Sequence, residues 1–254
     1  MPTDRGELSA LVEERRSSDE HLTWGYHSRV SVTHRYVCVA IPKVACTTVK
    51  TVLRTWEGLP ASDDVHEEGP RLEDFTTGEI ATMLTSPDWL RFAFVRNPYA
   101  RLFSAYKSKI GNTRDREYDW LRDQIREAFG YPSRNGARVG TVTFDDYVRF
   151  LAGSDDPQVV RDGHLDVQVR ILQRDCIPYD ILGRFENFRH DFDAILSRLD
   201  APPRIRALAG DVLNSTPYLP LATAYRRELA DIVHAVYEAD FEELGYARDS
   251  WLHE

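Results

Sequence analysis

Three times in this chain a short apolar, β-branched run gives way within a few residues to helical periodicity. "RYVCVAI" (Arg35–Ile41) precedes a stretch in which Val49, Val52, Leu53 and Trp56 fall on one helical face. "RFAFV" (Arg91–Val95) is broken by "RNP", after which Leu102, Phe103, Tyr106 and Ile110 keep helical spacing. "YDILGRF" (Tyr179–Phe185) leads into "DFDAILSRLD". Parallel strands need crossover connections, usually helical, so strand-to-helix units in series predict an α/β domain with a central, mainly parallel sheet flanked by helices. Ligands of such sheets sit beyond the carboxyl ends of the strands, where these turns lie.

The remaining pattern fits one large domain. Residues 1–30 read as a peripheral arm, with a short helix around Leu8–Arg15, and 31–254 as a single domain. "TFDDYVRFLAG" begins on a threonine cap and ends on a glycine, both helix signals. A last long helix is expected over Leu221–Leu244, with Leu229, Ile232, Val233, Val236 and Tyr237 apolar.

Charge and cysteine usage narrow the classes. A formal net charge of −9 argues against nucleic acid, which selects a basic surface. Cys38, Cys46 and Cys176 are odd in number and widely spaced, so neither a disulfide framework nor a zinc site is expected. The charged N-terminal stretch has no secretory pattern and no apolar run is long enough for a membrane span. A soluble, cytoplasmic protein is the expectation, with no membrane partner; nothing in the sequence bears on oligomeric state.

The first turn, "IPKVACTTVK", places Pro42, Lys43, Val44, Ala45, Cys46, Thr47 and Thr48 at the mouth of a helix. A helix N-terminus offers unsatisfied N–H groups and the positive end of a dipole. Lys43 adds a mobile charge, and the two threonines add hydroxyl donors. The set suits a phosphate-like oxyanion, yet it is not a Walker A loop, because the turn contains no glycine. In the second turn, Arg96 ends a strand and Asn97-Pro98 start a helix that carries Arg101 and Ser104 three residues apart. An arginine fork beside a serine is a receptor for a second phosphate. A lysine in a solvated turn and an arginine paired with a carboxylate are the plain structural alternatives.

With these residues on the page, "IPKVACTTVK" and "FAFVRNPYARLFSAYKSK" resemble the two nucleotide-binding signatures of the sulfotransferases, in particular the carbohydrate sulfotransferase family of the chondroitin 4-O and HNK-1 type. "VHEEGPRLEDF", "TFDDYVRFL", "DGHLDVQVRIL", "YDILGRFENF" and "YEADFEELGY" are similar to later segments of that family, in the same order. The resemblance implies a P-loop-like sulfotransferase fold and an enzyme that moves a sulfuryl group from 3′-phosphoadenosine 5′-phosphosulfate (PAPS) to an acceptor hydroxyl. The product nucleotide is adenosine 3′,5′-bisphosphate (PAP), and no metal is expected.

It further implies that the first turn, with Thr47 and Thr48, holds the 5′-phosphosulfate and that Lys43 neutralises the leaving oxygen. Arg96 and Ser104 would hold the 3′-phosphate with Arg101 in support. His66 or His164 would be the general base, with Glu67 and Glu68 beside His66. The acceptor is a sugar or a glycosylated or small metabolite, and the adenine contacts are sought in "NSTPYLP" from Asn214. Three departures stand out: Leu165 replaces the family's tryptophan, Cys176 stands alone where the family has Cys-x-x-Cys, and the Golgi membrane anchor of eukaryotic members is not seen. Two other readings share the anion turns: a small-molecule kinase, and a domain that binds PAP or a partner without turnover.

Overall fold

The computed structural model describes residues 5–17, 23–59, 65, 69–134, 136–210 and 219–253. Chain contacts divide it into two compact units: residues 1–96 with 168–215, and 97–167 with 216–254.

The first unit contains a four-stranded sheet. Strand Tyr36–Val39 lies parallel to Leu90–Val95, which lies parallel to Ile181–Arg184. The outer neighbour, Ser28–Ser31, pairs antiparallel with Tyr36–Val39. The mainly parallel α/β sheet read from the sequence is therefore present, and the end of the expected N-terminal arm is its edge strand. Every residue of the two middle strands is buried, as expected for strands covered on both faces.

Helix Cys46–Trp56 turns Val49, Val52 and Leu53 inward, the stripe its spacing predicts. Helix Arg5–Ser17 buries Leu8 and Val12. Helix Thr77–Thr85 starts in a capping box, in which Thr76 accepts from the Glu79 N–H and Glu79 accepts from the Thr76 N–H.

One glycine in this sheet is dictated by its neighbour. Gly183 faces Phe94 across the parallel pair, and a Cβ there would stand 2.4 Å from Phe94 Cε1. The space lets the Phe94 ring pack on Phe188 and Phe192, with centroids 4.8 and 5.6 Å away.

The second unit is helical around an aromatic core that includes Tyr99, Leu121, Tyr147, Val233 and Phe241. Helix Pro98–Ala105 opens on Asn97, whose side chain accepts from the Tyr99 N–H, with Pro98 in the first turn where its missing N–H costs nothing. It continues as a π-helical turn, Tyr106–Ile110. Helix Phe144–Gly153 is capped by Thr143, which accepts from the Asp146 N–H.

The single helix expected over Leu221–Leu244 is instead three pieces, Leu221–Ala224, Arg227–Val236 and Glu238–Leu244. The breaks fall at two buried tyrosines. Tyr225 takes extended backbone angles and donates its hydroxyl to the Tyr99 carbonyl at 2.9 Å. Tyr237 leaves the helical region and donates to the Leu165 carbonyl at 2.6 Å. At both breaks the buried hydroxyl is satisfied by a backbone carbonyl.

Candidate functional site

The turn after strand Tyr36–Val39 is built without glycine but in glycine-like conformations. Lys43 and Ala45 have φ of 66° and 54°, while Val44 between them is not left-handed. Alternation of φ about single residues folds successive N–H groups into a concavity that receives anions. Ala45 is the N-cap of helix Cys46–Trp56 and contributes no side-chain cap. Lys43, Cys46 and Thr47 are half-buried, whereas Pro42, Val44 and Thr48 are buried. Holding two non-glycine residues left-handed costs about 1–2 kcal/mol each, and strain of this kind persists where the surroundings impose it.

Arg96 supplies that support. It follows strand Leu90–Val95 directly, and its Nη1 donates to the Lys43 carbonyl at 2.9 Å. The guanidinium lies 4.0 Å from the centroid of the Phe185 ring, a cation–π stack. Its backbone is clamped by a buried amide. The Arg96 N–H donates to Gln168 Oε1 at 2.9 Å, and Gln168 Nε2 donates to the Arg96 carbonyl at 2.8 Å. The two expected anion turns are thus linked through this arginine, while Phe185 and Gln168 are residues that the sequence reading did not single out.

A buried cation lies on the helix after the first turn. Lys50 is 3% exposed, with Nζ donating to the Tyr26 carbonyl at 3.2 Å. Arg29 donates to the same carbonyl at 3.3 Å. Burial first, then the neighbouring Arg29 charge, push the Lys50 amine down to about 8. The cysteines are free; burial pushes the Cys38 and Cys176 thiols up to about 12.

In the second unit, Arg101 is held on a loop. It is 2% exposed, and its fork reaches two backbone carbonyls, Nη1 to Asp166 at 2.7 Å and Nη2 to Gly163 at 2.9 Å. A fork on carbonyls inside the unit orders a loop. Ser104, one turn further on the same helix, is 7% exposed.

The loop that Arg101 holds carries His164. Its Nδ1 stands 2.8 Å from Tyr118 Oη and 3.3 Å from Asp162 Oδ1. Tyr118 Oη donates to Asp162 Oδ2 at 2.7 Å, and the His164 N–H donates to Asp162 Oδ1 at 2.8 Å. Burial raises the Asp162 carboxyl, but hydrogen bonds and charge from His164 and the Tyr118 hydroxyl outweigh it and hold the group below its usual range. Burial and the Asp162 charge raise the Tyr118 phenol far above its usual value. Leu165, in place of the family's tryptophan, is buried at the centre of this loop.

His66, Glu67 and Glu68 lie outside the described residues, as do Asn214–Tyr218 of the stretch considered for adenine. Among the described residues no group of three or more potential metal ligands occurs.

The model of the Sulfotransferase family matches residues 26–247, across both signature turns and the His164 loop. The chain belongs to this family. Its sheet and flanking helices are those of the sulfotransferase fold. The chain is similar to carbohydrate sulfotransferase 14 of Danio rerio, 29% identical over 232 residues that cover 87% of this chain and 62% of the relative. Carbohydrate sulfotransferase 14 of Homo sapiens is 30% identical over 214 residues, covering 81% and 53%. Carbohydrate sulfotransferase 8 of Homo sapiens is 30% identical over 206 residues, covering 76% and 48%. The matches span about half to three fifths of these relatives' lengths. No solved structure matches the chain.

The family corrects one expectation. These relatives are Golgi-resident type II membrane enzymes, so the cytoplasmic location inferred above does not stand. Among the described residues no helix is long and apolar enough to cross a membrane, and that observation does not assign a compartment.

Proposed function

We propose that this chain transfers the sulfuryl group of PAPS to a hydroxyl of a sugar-bearing acceptor. The observation that carries the reading is the glycine-free turn Pro42–Ala45, left-handed at Lys43 and Ala45, which opens on a helix N-terminus within a sequence that matches the sulfotransferase family. The turn fits a phosphosulfate: its left-handed residues gather N–H groups, and Lys43 adds a charge at its apex. On this reading the N–H groups, with Thr47 and Thr48, receive the 5′-phosphosulfate. Arg96 serves the 3′-phosphate while steadying the turn, and the placing of Ser104 at that phosphate rests on the sequence pattern alone.

Sulfuryl transfer of this kind resembles in-line phosphoryl transfer with a loose transition state, in which positioning and charge stabilisation do most of the work. The electron pair of the breaking S–O bond collects on the bridging oxygen, and Lys43 is the cation assigned to it. The acceptor proton passes to a histidine, His66 or His164. The family match runs across both compact units, which supports reading residues 31–254 as one catalytic domain with a short N-terminal arm. The names of the relatives support a carbohydrate acceptor.

Calorimetric titration with PAP, with ATP and Mg²⁺ as the control, tests the reading. Micromolar or tighter binding of PAP with weak ATP binding is expected. ATP binding that requires Mg²⁺ and excludes PAP would replace it with a kinase. PAP binding without transfer to any hydroxyl in a saccharide panel would leave a binding domain.

A further inference from the structure

The backbone of Arg96 lies one residue past the end of its strand. Val95 is the last residue of Leu90–Val95 in register with Ile181–Arg184, so the ladder stops short of Arg96. A single side chain then takes over both of its polar groups. The Arg96 N–H donates to Gln168 Oε1 at 2.9 Å, and Gln168 Nε2 donates to the Arg96 carbonyl at 2.8 Å. The amide thus exchanges two hydrogen bonds with one residue, as a directly opposed residue does in an antiparallel ladder. Gln168 opens helix Gln168–Leu172 and is 0% exposed. Arg96 is the last residue of the first unit before the chain leaves it, and Gln168 is the first after it returns. The pair ties exit to return within that unit.

A short path leads from this clamp to the strained turn. The Arg96 guanidinium, laid on the Phe185 ring at 4.0 Å, donates through Nη1 to the Lys43 carbonyl at 2.9 Å. At the other end of that peptide group, the Val44 N–H donates to the Ile41 carbonyl at 3.3 Å. Residues Ile41 to Val44 therefore form a type II turn, with Pro42 second and Lys43, at φ 66°, third, where glycine is the usual residue. The peptide group that follows the strained lysine is held at both ends. An arginine side chain has many rotamers to lose. Here Gln168 fixes its backbone and Phe185 its planar head.

We propose that Gln168 is a positioning residue of the donor site. By fixing the Arg96 backbone it sets the guanidinium on the Lys43 carbonyl, and so keeps the turn in the left-handed shape that receives the 5′-phosphosulfate. The proposal rests on the sulfotransferase reading above. Gln168 acts on the nucleotide through Arg96, and that route separates it from a residue that merely supports the fold.

The test is calorimetric titration of the full chain with PAP in wild type, Gln168→Met, Arg96→Ala and the double variant. Methionine keeps the length of the side chain and removes both hydrogen bonds. Arg96→Ala removes the guanidinium and leaves the backbone groups that Gln168 holds. Gln168→Met should weaken PAP binding by about three- to tenfold when Arg96 is present. With Arg96 already alanine the path is cut, and the loss should stay below about twofold. Equal losses in the two backgrounds would show a general effect on the fold and overturn the proposal, as would no loss in either.

Adenosine 5′-monophosphate, which lacks the 3′-phosphate, should weaken by the same factor as PAP in Gln168→Met. A loss confined to PAP would route Gln168 to the 3′-phosphate and overturn its link to the Lys43 turn. Gln168→Asn, one methylene shorter but still polar, takes the place of the methionine variant if urea midpoints show that variant unfolded, and the same pattern is expected at smaller amplitude. PAP binding without the coupling would overturn the proposal alone. A wild-type chain that fails to bind PAP would overturn the sulfotransferase reading first, and the proposal with it.

Discussion

Arg96 Nη1 donates to the backbone carbonyl of Lys43 at 2.9 Å, so the arginine that follows one parallel strand braces the turn that follows its neighbour. Removing this side chain should therefore do more than delete a phosphate contact. Arg96→Ala is expected to weaken PAP binding by about ten- to a hundredfold, the range for a charge-assisted hydrogen bond. Adenosine 5′-monophosphate should weaken too, but less, because it loses only the brace. Calorimetry with both nucleotides checks this, and equal losses would mean that Arg96 acts through Lys43 alone.

Lys43→Ala should abolish sulfuryl transfer while PAP still binds, since the lysine is assigned to charge that develops during the reaction. Single-turnover assays with labelled PAPS separate the two effects. Near-normal turnover would take Lys43 out of the mechanism.

Ala45 is left-handed at φ 54°. Ala45→Gly should stabilise the chain by about 0.5–1 kcal/mol, the relief of left-handed strain less the greater entropy of unfolded glycine. Ala45→Val, β-branched at the same angle, should destabilise it. Urea midpoints read both changes, and PAP affinity of the glycine variant should stay within a few-fold.

Lys50 gives a pH signature with a defined sign. Its folded value of about 8 lies below the ordinary 10.5, so between those limits the unfolded chain holds more protons and stability rises with pH. Cys38, raised from 9 to about 12, opposes this at higher pH. The difference between wild type and Lys50→Met isolates the lysine. The variant should be more stable at pH 7 by about 1–3 kcal/mol, and the gap should close between pH 8 and 10.5. A gap independent of pH would contradict the buried charge.

Gly183→Ala would place a methyl 2.4 Å from Phe94 Cε1. Overpacking of this kind costs about 1–3 kcal/mol, so the melting temperature should fall. Phe94→Leu should recover part of the loss in the double variant, and no recovery would show that the clash lies elsewhere.

What the sequence made legible was local. The strand-to-helix turns, the Thr143 cap and the Asn97-Pro98 helix start are written in adjacent residues, and the structure contains each of them. Tertiary demands decided the rest. The helical period breaks at Tyr225 and Tyr237, whose hydroxyls reach carbonyls 126 and 72 residues away in the chain. Arg101 has the spacing of a phosphate ligand, and only the fold shows that its fork also reaches two backbone carbonyls of a loop. Phe185 and Tyr118 meet their partners only through the fold, so no spacing announces them. Asp162 was open to notice: an aspartate two residues before a histidine readily accepts that residue's N–H, and here it does.

The left-handed pair at Lys43 and Ala45 bears on how such turns are found. A pattern that searches for phosphate loops by their glycines passes over this chain. The property such a loop needs is the handedness of the backbone, and here lysine and alanine adopt it beside a bracing arginine. Such a turn also has fewer shapes to sample before its ligand arrives than a glycine loop has, so less ordering remains to be done on capture.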